Sequence, residues 1–171
     1  MKKFFKHIAI FLGLLLLFLA IGGTIWWNYK SDREKSDLFV DFMDYERAIE
    51  YDPTNSNAWM ERSVSFNKSG DFQQGFKYLD KAVELNPELH LGYRGWIRLR
   101  KLRDFDKAIA DFNKLDNLTP NVVDAPWGED IDFLRGECYF GNKEYDQAIE
   151  YFNRSIKNQK EDWADVQTFV Y

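Results

Sequence analysis

From Ile8 to Trp27 the chain runs twenty residues without a charge, and all but Gly13, Gly22, Gly23 and Thr24 are strongly apolar. At about 1.5 Å of rise per residue such a run makes a helix of about 30 Å, enough to cross the hydrocarbon of a bilayer. Past it the pattern changes. Apolar residues recur at helical spacing, and no stretch alternates as a strand does. The amphipathic runs break at Asp52-Pro53, Ser69-Gly70, Asn86-Pro87, near Arg103-Asp104, Thr119-Pro120, Asn142-Lys143 and around Asn158. Most of these breaks join glycine or proline to a polar neighbour, which is how helices are punctuated. The pattern predicts an all-α chain with an N-terminal transmembrane helix.

The breaks are also periodic. Phe72 to Phe105 is 33 residues, and Pro87 to Pro120 is 33 again. Asp71-Phe72-Gln73-Gln74-Gly75, Asp104-Phe105-Asp106-Lys107-Ala108 and Glu144-Tyr145-Asp146-Gln147-Ala148 stand in equivalent places, each opening a second helix. Such self-similarity marks a stacked solenoid, in which each helix pair buries its apolar face against the next. On these residues the sequence resembles the tetratricopeptide repeats. A unit of that family carries an aromatic and then a small residue on its first helix, an alanine opening the second, and a closing proline. Residues 56–89 supply Trp59, Ser63, Phe66, Gly70, Phe72, Gly75, Leu79, Ala82 and Pro87. Residues 89–121 supply Tyr93, Gly95, Trp96, Phe105, Ala108, Phe112 and Pro120, and the last unit Gly136, Tyr139, Tyr145, Ala148, Phe152 and Ser155.

Two departures stand out. Gly75 replaces the usual alanine, at some cost to helix stability. The run from Gly95 to Ala108 is one residue longer than that from Gly136 to Ala148. Tyr45, Ala48, Ile49 and Pro53 resemble the second half of an earlier unit, whose first helix is left to the stretch after the apolar run. The resemblance implies an α-solenoid of tetratricopeptide-like helix pairs. It divides the chain into an anchor (1–30), a linker and partial repeat (31–55), and repeats (56–171) of which the last is incomplete. A further helix is expected from near Trp163, still accumulating apolar residues at Phe169-Val170-Tyr171.

Charge sharpens the reading of the first segment. The net charge is −5, yet residues 1–36 carry six basic side chains against two acidic ones, so the remainder is strongly acidic. An acidic body disfavours nucleic acid and anionic lipid as general partners. Lys2, Lys3 and Lys6 before the run favour a cytoplasmic N-terminus, a bias weakened by Lys30, Arg33 and Lys35 beyond it. A cleavable signal peptide is the rival, with Ala20-Ile21-Gly22 as a small-x-small site. Trp26, Trp27 and Tyr29 extend the run with residues suited to the headgroup level and favour a retained anchor. Under both readings the repeats are extracytoplasmic, periplasmic if the source is bacterial, with the membrane met through residues 8–27.

Little in the sequence points to chemistry. Cys138 is the only cysteine, and His7 and His90 the only histidines, without a metal or nucleophile constellation around them. Carboxylates such as Glu84, Asp111 and Glu150 are expected on exposed faces of second helices, as partners in acid-base spacing. The expectation is a non-enzyme without cofactor, metal or small-molecule substrate.

The resemblance implies instead a concave groove, formed by successive first helices, that binds a peptide or protein. Carried onto this chain, its positions are Asn57, Met60, Val64, Asn67 and Lys68 in one unit, and Arg94, Arg98 and Lys101 in the next. The three basic residues are spaced four and then three apart, on one side of a helix. They either grip an acidic partner, arginine being suited to bidentate pairing, or neutralise the acidic neighbours in the solenoid. The family's carboxylate-gripping set of asparagine and lysine is matched only through Asn67 and Lys68. The connection Asn121-Val122-Val123-Asp124-Ala125-Pro126-Trp127-Gly128 exceeds the period and offers Trp127 either as a contact or as a filler between units. The resulting expectation is an adaptor with a membrane-proximal protein partner, the alternative being a structural subunit of a larger membrane-associated complex.

Overall fold

The computed structural model describes residues 2–120 and 124–162, and every regular element among them is helical. α1 (Lys2–Tyr29) is the apolar helix. Helical hairpins follow: α2 (Asp32–Asp41) with α3 (Tyr45–Tyr51), then α4 (Ser56–Ser69) with α5 (Phe72–Leu85). α6 (Pro87–Ile97), prolonged by a π-turn over Arg98–Leu102, pairs with α7 (Phe105–Leu118), and α8 (Ile131–Gly141) with α9 (Tyr145–Asp162). The α-solenoid expected from the repeats is the fold found.

Local chemistry sets where the helices begin. The Asp71 carboxylate accepts from the Gln74 amide at 3.1 Å, Asn86 caps Leu89 at 3.2 Å ahead of Pro87, and Asp130 caps Phe133 at 2.9 Å. Ser31 and Glu34 form a reciprocal capping box on α2. Each such cap contributes about 1 kcal/mol. Within each hairpin the turn uses a left-handed residue: Met43, Gly70, Arg103 and Lys143, with φ of 60°, 85°, 54° and 66°.

Close approach of paired helices depends on small residues at Ser63, Gly95 and Gly136. A Cβ at Gly95 would lie 2.6 Å from the Phe112 ring, and one at Gly136 would lie 2.5 Å from Phe152. These glycines let an aromatic ring of the second helix lie directly on the backbone of the first. Leu79, Leu91, Phe112 and Leu134 are completely buried along the resulting core, each stabilising the fold by about 1.5–3 kcal/mol.

The extra residue between Gly95 and Ala108 appears as the π-turn at Arg98–Leu102. A wider helical ring absorbs one residue, so Ala108 still reaches the core and stays fully buried. The amide of Asp104 closes the turn on the Arg98 carbonyl at 3.0 Å.

The stretch left for the first helix of the early unit supplies one: α2 pairs with α3, and only two residues separate α1 from α2. One expectation is corrected. No break occurs at Asn158, because α9 continues to Asp162. The Asn158 amide is engaged by Asp130 and Asp132, at 3.3 and 3.2 Å, and so does not compete for its own helix backbone. The helix expected from Trp163 lies outside the described residues. Trp27 meets the solenoid: its ring lies 5.8 Å from those of Phe39 and Tyr51, which stack on each other at 5.3 Å.

By length and composition α1 qualifies as a membrane span over Ile10–Tyr29, with mean hydropathy 2.2 and none of that window buried in the fold. A signal sequence has the same features.

Candidate partner-binding groove

A cavity of about 560 Å³ lies between the C-terminal half of α4, the start of α5, and the stretch from Tyr93 to Lys101 on α6 and its π-turn. Val64, Phe72, Trp96 and Ile97 form its apolar lining, Asn67 and Tyr93 its polar part, and Lys68 and Lys101 stand at its edges. Four of the residues expected from sequence, Val64, Asn67, Lys68 and Lys101, are thus brought together. Met60 is half-buried beside a smaller hollow of about 290 Å³ under Pro126. Asn57 is exposed near the start of α4 and lines neither space. The backbone at Trp127 forms one short 3-10 turn, Pro126–Gly128, and its side chain lies outside the described residues.

Lys68 and Lys101 are exposed and ion-paired to no described residue, although the Lys101 ammonium lies 5.7 Å from the Trp96 ring. Asn67 is the polar group at depth. Its amide donates to the Tyr93 hydroxyl at 3.2 Å, while its carbonyl oxygen is buried without a hydrogen-bond partner among the described residues. Burial raises the Tyr93 phenol above its ordinary range, so it stays protonated at neutral pH. Gly75 is explained here: a Cβ on it would lie 2.0 Å from the Asn67 oxygen. Glycine replaces alanine because the Asn67 carboxamide occupies the space a methyl group would take.

Arg94 and Arg98 do not join these lysines. Arg94 grips Asp111 with two bonds of 3.0 and 2.7 Å and reaches Asp80 at 2.7 Å. Arg98 meets Asp111 at 2.6 Å and the Lys107 carbonyl at 3.3 Å. Asp111, expected on an exposed face, is buried at 3% exposure. Two guanidinium groups neutralise it there, and an unpaired carboxylate would be too costly at that depth. Burial pulls the Arg94 pKa down, but the Asp111 and Asp80 carboxylates outweigh it and the net shift is upward.

Arg94 belongs to a series that sequence reading missed. Arg62, Arg94 and Arg135 each precede the small residue of a first helix, and each reaches back to an acid on the preceding second helix. The pairs are Arg62–Glu46 at 2.5 Å, Arg94–Asp80 at 2.7 Å and Arg135–Asp116 at 2.9 Å. Arg135 also donates to the Phe112 carbonyl at 3.0 Å. The signal was the arginine directly before the small residue, in Arg62-Ser63, Arg94-Gly95 and Arg135-Gly136.

The inserted connection folds back onto α6. Pro126 packs over Gly92, and Glu129 accepts from the Trp96 indole at 3.0 Å and pairs with Arg100. Arg100 also binds Glu137 at 2.6 Å. Burial pushes the Cys138 thiol up to about 12, which keeps it protonated and unreactive.

Two models of the family described as "Tetratricopeptide repeat" match this chain, at residues 44–90 and 133–162. No curated protein matches it. Among solved structures, the crystal structure of PilW, a "widely conserved type IV pilus biogenesis factor", superposes with a TM-score of 0.56 at 20% identity over 75% of this chain. The chain spans 60% of that protein's length. The crystal structure of MamA gives a TM-score of 0.61 at 16% identity, covering 82% of this chain and 78% of MamA. A double mutant of MamA gives 0.53 at 18% identity, over 74% and 72%. At these identities the likeness is one of fold.

Proposed function

Because the chain is a tetratricopeptide-repeat protein, we propose that it is a membrane-anchored adaptor that captures a protein segment in the groove between α4 and α6. The observation that carries this reading is the groove itself, an open apolar trough with unpaired ammonium groups at its edges. Such a surface favours a segment with an apolar side chain for the trough and a carboxylate for Lys68 or Lys101. Arg94 and Arg98 lie outside the interaction, since their charge is spent on Asp111 and Asp80. α1 would hold the repeats at the bilayer, N-terminus inside and solenoid on the extracytoplasmic side, so a membrane-proximal partner is favoured.

Photo-crosslinking of the full-length chain in its native membrane tests this. A crosslinker in place of Lys68 or Lys101 is expected to yield a protein adduct that one in place of the exposed Glu84 or Lys114, on second helices, does not. Equal labelling from both sets would remove the groove reading.

A second reading, a structural subunit of a larger complex, is favoured by α9. Tyr145, Ile149 and Ile156 leave an apolar stripe at least half exposed along it, as does Phe140 beside Tyr145. Crosslinks from Ile149 to a neighbouring subunit, with none from Lys68, would favour that reading over the adaptor.

A further inference from the structure

The turns within the hairpins are equivalent, and three of them carry a residue suited to water at the left-handed position. Ser69-Gly70, Leu102-Arg103 and Asn142-Lys143 place glycine or a cation at the left-handed position. The fourth, nearest α1, is Phe42-Met43, with the two side chains 75% and 74% exposed and Met43 at φ 60°. A left-handed backbone is unfavourable for a bulky L-residue. Here the cost is borne for two large apolar side chains that bury little inside the molecule.

Their position relative to α1 follows from Trp27. A helix continuing outward from the break would carry Phe39 about 12 Å beyond residue 31, out of reach of a ring about half a turn below the end of α1. The Trp27 and Phe39 rings nevertheless lie 5.8 Å apart, and the Lys35 ammonium lies 5.8 Å from the same indole. α2 therefore turns across the end of α1, which brings Phe39 beside Trp27 and leaves the Phe42-Met43 turn about one helical turn further along the same short helix. Lys30 lies 4.6 Å from the Trp26 ring, an aromatic-cation pair of the kind found at lipid headgroups.

We propose that the Phe42-Met43 turn is a second membrane contact, seated in the headgroup and upper acyl region of the bilayer that α1 spans. It rests on the anchor reading above. Two contacts, one spanning and one lateral, fix how the solenoid is tilted over the surface, where α1 alone would leave it free to rotate about its axis. Asp41 and the N-cap Asp44 flank the turn, so contact is shallow and suits zwitterionic headgroups better than anionic ones.

The test uses the full-length chain in phosphatidylcholine nanodiscs, with a nitroxide at one introduced cysteine (Phe42→Cys, Met43→Cys, Leu16→Cys or Glu84→Cys) while buried Cys138 stays unlabelled. Labels at 42 and 43 are expected to collide preferentially with oxygen over a water-soluble nickel chelate, as at 16 and opposite to 84. A reading at 42 and 43 equal to that at 84, with 16 inside the bilayer, overturns the surface contact and leaves the anchor standing. Aqueous readings at 16 as well overturn both. Low collision with both reagents at 42 and 43 means that protein covers the turn, and also overturns the proposal.

Discussion

The hairpins α4/α5 and α6/α7 flank one groove and share one plan, yet they join their two helices by opposite means. In α4/α5 the close approach is weakly polar: Asn67 lies on Gly75, with one oxygen unsatisfied. In α6/α7 the corresponding region holds a buried carboxylate under two arginines, a glycine covered by Phe112, and the π-turn. The difference teaches which side of the proposed groove would meet a partner. The α6/α7 side has used its arginines internally and offers only Lys101 beyond them, whereas the α4 side keeps Lys68 outside and a polar atom at depth.

The largest effect that would break the comparison is removal of its central charge. Asp111→Ala leaves Arg94 and Arg98 without their buried counter-ion, and we expect a loss of about 3–5 kcal/mol, read as a lower midpoint in denaturant unfolding of the detergent-solubilised chain. A loss under 1 kcal/mol would make the ion cluster incidental.

Next comes His90, at the place where α4 carries Ala58. His90 is 2% exposed, its Nε2 has no partner among the described residues, and burial lowers its pKa from 6.5 to about 4. The folded state therefore binds fewer protons than the unfolded one between these values. Stability is complete above pH 6.5 and is lost as pH falls towards 4, by up to about 3 kcal/mol at roughly 1.4 kcal/mol per unit. The slope of unfolding free energy between pH 7 and 4.5 should shrink in His90→Ala, and an unchanged slope would place the titration elsewhere.

The glycines separate the two contacts more finely. Gly95→Ala meets an aromatic ring fixed in the core and should cost about 1–3 kcal/mol. Gly75→Ala meets only the Asn67 carboxamide, so in an Asn67→Ala background the added methyl should be neutral or stabilising by up to about 1 kcal/mol. Equal costs for Gly75→Ala with and without Asn67 would mean that the side chain is not what the glycine accommodates.

Smallest is the effect of surface charge on folding. Lys101→Glu should shift stability by no more than about 0.5 kcal/mol, against a large loss for Arg94→Glu. Thermal unfolding of the two variants side by side checks that the two cations do different work about two turns apart.

Much of this was legible beforehand because repeats report themselves through periodicity. A 33-residue interval, the aromatic-then-small pattern and prolines at fixed places specify helix pairs without any knowledge of contacts. The anomaly between Gly95 and Ala108 could be counted but not interpreted, since an extra residue is compatible with a longer loop as well as with a π-turn. What occupies the stretch between α1 and the early half-unit was open in the sequence for a related reason. α2 is dominated by charge, with Asp32, Arg33, Glu34, Lys35, Asp37 and Asp41 in ten residues, and its helical identity comes from the Ser31 capping box and from burial of Ser36 against the Ala48 carbonyl at 2.7 Å.

For the groove, sequence placed Val64, Asn67, Lys68 and Lys101 in one neighbourhood because helical spacing and the repeat register fix which side of a helix a residue occupies. It could not say which cations on that side remain available. Arg94, Arg98 and Lys101 share a face in one dimension, but availability depends on distances to Asp80 and Asp111, which lie on two other helices. Periodicity is a property of backbone geometry and is written along the chain. Compensation of charge is a property of packing, and the tertiary structure alone decided it.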